Sequence, residues 1–219
     1  WLSPIAAERW AAYVELMARE LGDYALIVIA RVKSSANRPL IGKNMAEIAA
    51  TWGVRPVEAV LRLIEEEEGS VSIIGHGMSA DNVERVLGHP LVMVGSDGSS
   101  MAPVGRAAEA RPHPRSYGAF ARVLAHYVRE RHTLSLAQAV RKMTSMPADQ
   151  IGLGDRGRIA RGKQADLVVF DPATVKDEAT FEQPHQYATG IPHVIVNGTL
   201  VVENGRHTGA KPGRTLRRP

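Results

Sequence analysis

The residues of this chain best placed to do chemistry gather at Asp97. The run Val92-Met93-Val94-Gly95-Ser96-Asp97-Gly98 is an apolar stretch ending on a carboxylate between glycines and a serine. A strand buried on both faces reads as a continuous apolar run, so residues 91–94 are expected to be one. A carboxylate at the C-terminal end of such a strand stands where barrel and doubly wound enzymes place their reacting groups. There it can take a proton from an attacking water and return it to a leaving group. The flanking glycines let backbone, ligand or metal approach closely. Asp before Gly also caps turns, and these seven residues do not decide between the two roles.

Four further segments give Asp97 a context. R-P-H-P-R-S-Y-G-A-F runs from Arg111 to Phe120, and G-R-I-A-R-G-K-Q-A-D-L-V-V-F-D from Gly157 to Asp171. F-E-Q-P-H-Q-Y runs from Phe181 to Tyr187, and H-V-I-V-N-G from His193 to Gly198. Together they resemble the metal-dependent amidohydrolase superfamily, and within it the N-acyl-D-amino-acid deacylases, or D-aminoacylases. The Gly157-to-Asp171 pattern marks only the superfamily. The H-P-R segment with S-D-G upstream is the more specific part. The resemblance runs from about residue 20 to about residue 205.

The resemblance implies zinc as cofactor, with Asp97 both in contact with the metal and serving as general base. It implies further that Lys43 faces the substrate carboxylate and that Met78 lines an acyl or side-chain pocket. A flexible thioether suits a tolerant apolar pocket. The family's first strand carries an H-x-H metal pair. The eight histidines here, at 76, 89, 113, 126, 132, 185, 193 and 207, include no such pair. The other metal ligands are therefore expected outside this chain, which resembles the C-terminal portion of a deacylase. Where the family commonly has an aromatic before the Met78 position, this chain has Gly75 and His76.

Each of these residues also has a plainer role open to it. Arg115 lies on the loop after Asp97, and a bidentate guanidinium is the natural partner of a free substrate carboxylate; it could equally tie the loop down. Lys43 could be a solvated helix-start lysine. His76 at a strand end and His113 between prolines read better as hydrogen-bonded structural residues than as metal ligands. Asp166 and Asp171 bracket a later strand and read as turn residues.

The elements that must position these groups alternate between helix and strand. Helices are expected over 3–20, 44–51, 56–68, 79–88, 117–131 and 134–144, and apolar strands over 25–30, 71–74 and 91–94. After about residue 150 the texture changes to short strands between Gly, Pro and Asn turns, with Asn197-Gly198 a strong hairpin signal. The expected fold class is α/β. Residues 1–150 would be the C-terminal part of a TIM-like (β/α)8 barrel, about three strand–helix units. Residues 151–205 would be part of a small β-sandwich, and 206–219 a basic tail expected to be disordered. Three parallel strands cannot close a barrel, which takes about eight.

Composition narrows the rest. A chain of 219 residues can bury a sizeable core. Without cysteine it has neither disulfides nor thiolate metal sites. No apolar stretch approaches the roughly 20 residues of a membrane span. The net charge of +4 comes partly from the C-terminal arginines. With no aromatic platform or basic helical stripe, nucleic acid is not an expected partner. The expected compartment is the cytoplasm. The expected function is zinc-dependent hydrolysis of N-acyl-D-amino acids to a carboxylate and a D-amino acid, with a second chain carrying the N-terminal half and little activity without it. Two alternatives stand beside this: a non-catalytic remnant or subunit without the metal site, and a hydantoinase- or dihydroorotase-like cyclic amidohydrolase.

Overall fold

The structure is a computed structural model that describes residues 9, 12, 15, 16, 19 and 23–217. The helix expected over 3–20 lies, for the most part, outside the described residues. The chain forms two compact units.

Unit 1 comprises residues 1–79, 100–113 and 180–185. Strand β1, Ile27–Arg31, follows a short 3-10 turn that Asp23 caps by accepting from the Ala25 amide at 3.1 Å. Helix α1, Met45–Trp52, begins at Asn44 with a reciprocal capping box: Asn44 Oδ1 accepts from the Glu47 amide, and Glu47 accepts from the Asn44 amide. It ends on Gly53, at φ +66, a conformation that favours glycine. Helix α2, Pro56–Glu66, starts on a proline, whose missing N–H costs nothing in a first turn. Strand β2, Ser72–Gly75, then pairs with β1 in the register Val28↔Ile74. The pairing is antiparallel, whereas neighbouring barrel units would run parallel. One face of this ribbon, with Ile27 and Ile29, packs on Met45, Ile48, Ala49, Ala59 and Leu63 from the two helices.

A buried carboxylate ties unit 1 together. Glu67, fully buried, accepts from the Lys33 and Ser34 amides, the Ser34 hydroxyl and the Asn37 amide side chain, at 2.5–2.8 Å. Burial opposes its charge, but these donors outweigh that and hold its pKa down from the ordinary 4.5 to about 2.

Unit 2 comprises residues 80–99, 114–179 and 186–219. It holds α3, Ala80–Gly88; α4, Arg115–Arg122; a π-helical stretch, Val123–Glu130; α5, Leu136–Met143; and α6, Ser145–Ile151. Ser135 caps α5 through a second capping box with Gln138. Four strands follow in an antiparallel meander: β3, Leu167–Val169; β4, His193–Val196; β5, Thr199–Glu203; and β6, Arg206–His207. Asn197 at φ +47 and Gly198 at φ +78 make the tight β4–β5 turn. Pairing of Val202 with His207 carries order past residue 205, into the segment expected to be a disordered tail. The ladder supplies partners that composition alone does not reveal.

The strand expected over 91–94 does not form. Its backbone is satisfied another way: the Val94 amide donates to the Lys142 carbonyl at 3.1 Å, and the Lys142 ammonium donates to the Val92 carbonyl at 2.7 Å. A strand needs a neighbouring strand to bond to, and within unit 2 this segment meets a helix instead. No described helix is long and apolar enough to cross a membrane.

Candidate functional site

Asp97 stands at the end of this segment in a constrained turn. Its φ is +47, a left-handed conformation that Asp tolerates better than most residues. Ser96 Oγ accepts from the Gly98 amide at 3.2 Å and closes the turn. Val94, three residues before, packs into the unit 2 core beside Tyr127 and Met143. The chain is half-buried over residues 92–94, with Leu91 exposed, and delivers Asp97 to the surface.

Gly98 lets the turn meet α4. A Cβ there would lie 2.9 Å from both the Arg115 carbonyl oxygen and the Ser116 Cα, too close for any side chain without backbone movement. The Ser99 amide donates to Ser116 Oγ at 3.3 Å across the same contact. Arg115 is the first residue of α4, and its guanidinium pairs with Asp97 Oδ2 at 2.8 Å. The Asp97 side chain is 83% exposed and that of Arg115 is 44% exposed. A carboxylate and a guanidinium thus stand side by side and open to solvent.

The structure therefore brings Asp97 and Arg115 together. Within the chain Asp97 is one partner of Arg115, and this contact is compatible with both roles left open by the sequence. Lys43 and Met78 belong to unit 1. Lys43 is exposed and lies one residue before the Asn44 cap, so it precedes α1 rather than opening it; its carbonyl accepts from the Ile29 amide at 2.9 Å. Met78 is 80% exposed, in the coil after β2.

Three of the histidines make contacts within unit 1. In unit 1 the Phe181 ring meets His76 edge-on at 4.6 Å and His113 at 4.9 Å. His185 Nε2 lies 2.7 Å from the Ala110 carbonyl oxygen and fixes the same loop. Asp166 accepts from the Asn197 amide at 2.7 Å and pairs with Arg156, while Asp171 accepts from the Ala173 amide at 2.9 Å. Asp171 opens a turn, its carbonyl accepting from the Thr174 amide at 3.2 Å, whereas Asp166, just before β3, ties that strand to the β4–β5 turn.

A zinc site takes three or four ligands. Among the described residues no group of three His, Cys, Asp or Glu side chains could hold a metal ion. Among the described residues Asp97 stands beside a cation, the Arg115 guanidinium, and belongs to no group of three metal-binding side chains. These residues do not form a zinc centre by themselves.

The site also holds a residue that sequence reasoning missed. Lys142 on α5 is 3% exposed, and its ammonium reaches the His89 carbonyl at 2.5 Å as well as that of Val92. Burial, with a smaller contribution from Arg141, lowers its pKa. The signal in the sequence is its spacing of three from Ala139, which is fully buried on the same helix face.

Comparison with known proteins places this geometry in context. A sequence model described as the amidohydrolase family matches residues 7–202. An N-acyl-D-glutamate deacylase of Alcaligenes xylosoxydans xylosoxydans is 45% identical over 177 residues, covering 81% of this chain and 34% of that protein. An N-acyl-D-aspartate deacylase and a D-aminoacylase of the same organism are each 41% identical, over 175 and 179 residues, covering 80% and 82% of this chain. The chain thus spans about a third of the length of these relatives. Among solved structures, a D-aminoacylase matches with a TM-score of 0.74 at 34% identity, covering 93% of this chain and 44% of the other. An N-acyl-D-glutamate deacylase from Bordetella bronchiseptica, complexed with zinc and a phosphonate mimic of the tetrahedral intermediate, matches with a TM-score of 0.71 at 35% identity, covering 91% and 44%. A further D-aminoacylase structure is described as having a binuclear metal centre.

Proposed function

Because the chain belongs to the amidohydrolase family, with the α/β content of its fold, we propose that it is the C-terminal portion of an enzyme that hydrolyses the amide bond of N-acyl-D-amino acids. The likeness to deacylases at 41–45% identity supports the substrate class. The observation that carries it onto this chain is the exposed Asp97–Arg115 pair at 2.8 Å. In an N-acyl amino acid the free carboxylate carbon lies only two bonds from the leaving nitrogen. A guanidinium beside a proton-carrying carboxylate is the arrangement that such a substrate requires.

Asp97 takes a proton from the attacking water as its oxygen bonds to the acyl carbon. It returns that proton to the nitrogen as the carbon–nitrogen bond breaks. The products are a carboxylate and a D-amino acid. Arg115 exchanges part of its contact with Asp97 for the substrate carboxylate and so holds the leaving nitrogen within reach of the proton. Lys43 is assigned to the same carboxylate and Met78 to the pocket wall.

Zinc belongs to this proposal as the metal, with Asp97 as this chain's one ligand and the rest from outside it. The remainder of the TIM-like barrel comes from the missing N-terminal part of the polypeptide or from a second chain. The segment ending at Asp97 and the helices after it are this chain's share, and β3–β6 are part of a small sandwich.

The test is a substrate panel on the longest natural polypeptide carrying this chain, with zinc supplied. Release of D-amino acid from N-acyl-D-amino acids, with the L-enantiomers turned over poorly, is the expected result. Turnover of hydantoins or dihydroorotate in their place would make it a cyclic amidohydrolase, and no turnover with any amide would make it a non-catalytic subunit.

A further inference from the structure

Lys142 is hard to explain as a stabilising residue. Lysine is rarely fully buried without a paired carboxylate, and here the ammonium donates to two backbone carbonyls, of His89 and Val92. An aliphatic side chain would fill the same place without the cost of burying a charge. The carbonyls it gathers belong to one segment, the residues that lead from α3 to Asp97. Its own carbonyl accepts from the Val94 amide in that segment at 3.1 Å. One helical residue therefore grips three backbone groups within six residues, and the grip ends three residues before Asp97. Beyond it, the Ser96–Gly98 turn, the contacts of Gly98 and Ser99 with α4 and the ion pair with Arg115 hold the carboxylate.

We propose that Lys142 is a positioning residue for Asp97: its buried ammonium clamps the 89–94 backbone in place of a sheet neighbour and sets where the Asp97 carboxylate stands relative to Arg115. The functional half of this rests on Asp97 being the proton carrier. The structural half stands without it, so the experiment separates the two.

Lys142→Met keeps the aliphatic stem and removes every donor. Hydrogen exchange is followed on this chain, and kinetics on the longest natural polypeptide that contains it. Amides of residues 92–98 should exchange roughly 10- to 100-fold faster, the loss expected for hydrogen bonds to a charged donor. Those of β4 and β5 should keep the parent's rates. In turnover of an N-acyl-D-amino acid, kcat should fall about 10-fold or more with KM nearly unchanged, since binding groups stay and proton delivery is misplaced. Lys142→Arg, which keeps charge and donors, should recover part of both. Should the Met variant not fold, Lys142→Gln, with an amide donor on a shorter stem, should show the same segmental loosening to a smaller degree. Parent-level exchange over 92–98 in these variants would overturn the clamp. Loosened exchange with unchanged kcat would overturn the positioning role. If Asp97→Asn turns over normally while Lys142→Met loosens only this segment, the clamp stands and the reading of Asp97 falls.

Discussion

Glu67→Gln should strip unit 1 of a defined, pH-dependent share of its stability. The Glu67 carboxylate is held at about 2 in the folded chain against an ordinary 4.5. A pKa depressed by folding stabilises at pH values above the unfolded one, and the gain is lost as pH falls from about 4.5 toward 2. At roughly 1.4 kcal/mol per pKa unit the gain is at most about 3.5 kcal/mol at neutral pH. Four donors converge on this side chain, and a Gln would turn an amide N–H toward some of them. The variant should therefore be about 2–3 kcal/mol less stable than the parent at pH 7, or roughly 4–12 °C in melting temperature for a chain of this size. Thermal unfolding followed by circular dichroism at pH 7, 4 and 2.5 tests this. The gap between variant and parent should narrow steadily below pH 4.5, as the parent loses what the variant never had. The same gap at pH 7 and pH 2.5, or none at pH 7, refutes the reasoning.

Further outcomes follow from the site and its supports. Arg115→Lys should raise KM for N-acyl-D-amino acids about 10- to 100-fold by losing the bidentate contact, and should cost little on substrates whose carboxylate is capped as an amide; equal losses on both would leave Arg115 as a loop anchor only. Gly98→Ala should force the Asp97 turn off α4, because its Cβ has 2.9 Å to backbone atoms; a cost of roughly 1–3 kcal/mol in stability is expected, and a crystal structure of the variant with the turn unmoved would contradict it. Asn44→Ala removes both the cap of α1 and half of its capping box, so denaturant unfolding should show a loss of about 1 kcal/mol.

Much of this architecture was legible from local patterns. Asn44 before an apolar run, Pro56 at a helix start and Asn197-Gly198 between two apolar triplets each have one favoured local conformation, and each adopts it. Asp97 and Arg115 could be singled out from their motifs, but not their pairing, which joins a turn to the first residue of a helix eighteen residues later. The 91–94 run misled: Leu91 is exposed, residues 92–94 are half-buried, and the partner that satisfies this backbone is a helical residue, Lys142, about fifty residues later. On α5 the apolar stripe of Leu136 and Val140 is 37% exposed, while Ala139 and Lys142 face inward, so side-chain type pointed to the wrong face. The π-helical stretch over Val123–Glu130 and the continuation of helix through Pro147 depend on packing and first-turn tolerance rather than on propensity. Antiparallel pairing of β1 and β2 is a tertiary choice to which period and composition are blind.

The central claim is that Asp97 carries the proton in amide hydrolysis, and Asp97→Asn tests it most directly. Steady-state hydrolysis of an N-acyl-D-amino acid is measured for parent and variant in the longest natural polypeptide carrying this chain, with zinc supplied and metal content determined in both. Loss of a general acid–base group predicts a fall in kcat of about 10²–10⁴-fold with KM changed little. A variant that turns over within a few-fold of the parent at equal metal content removes Asp97 from the reaction and contradicts the account.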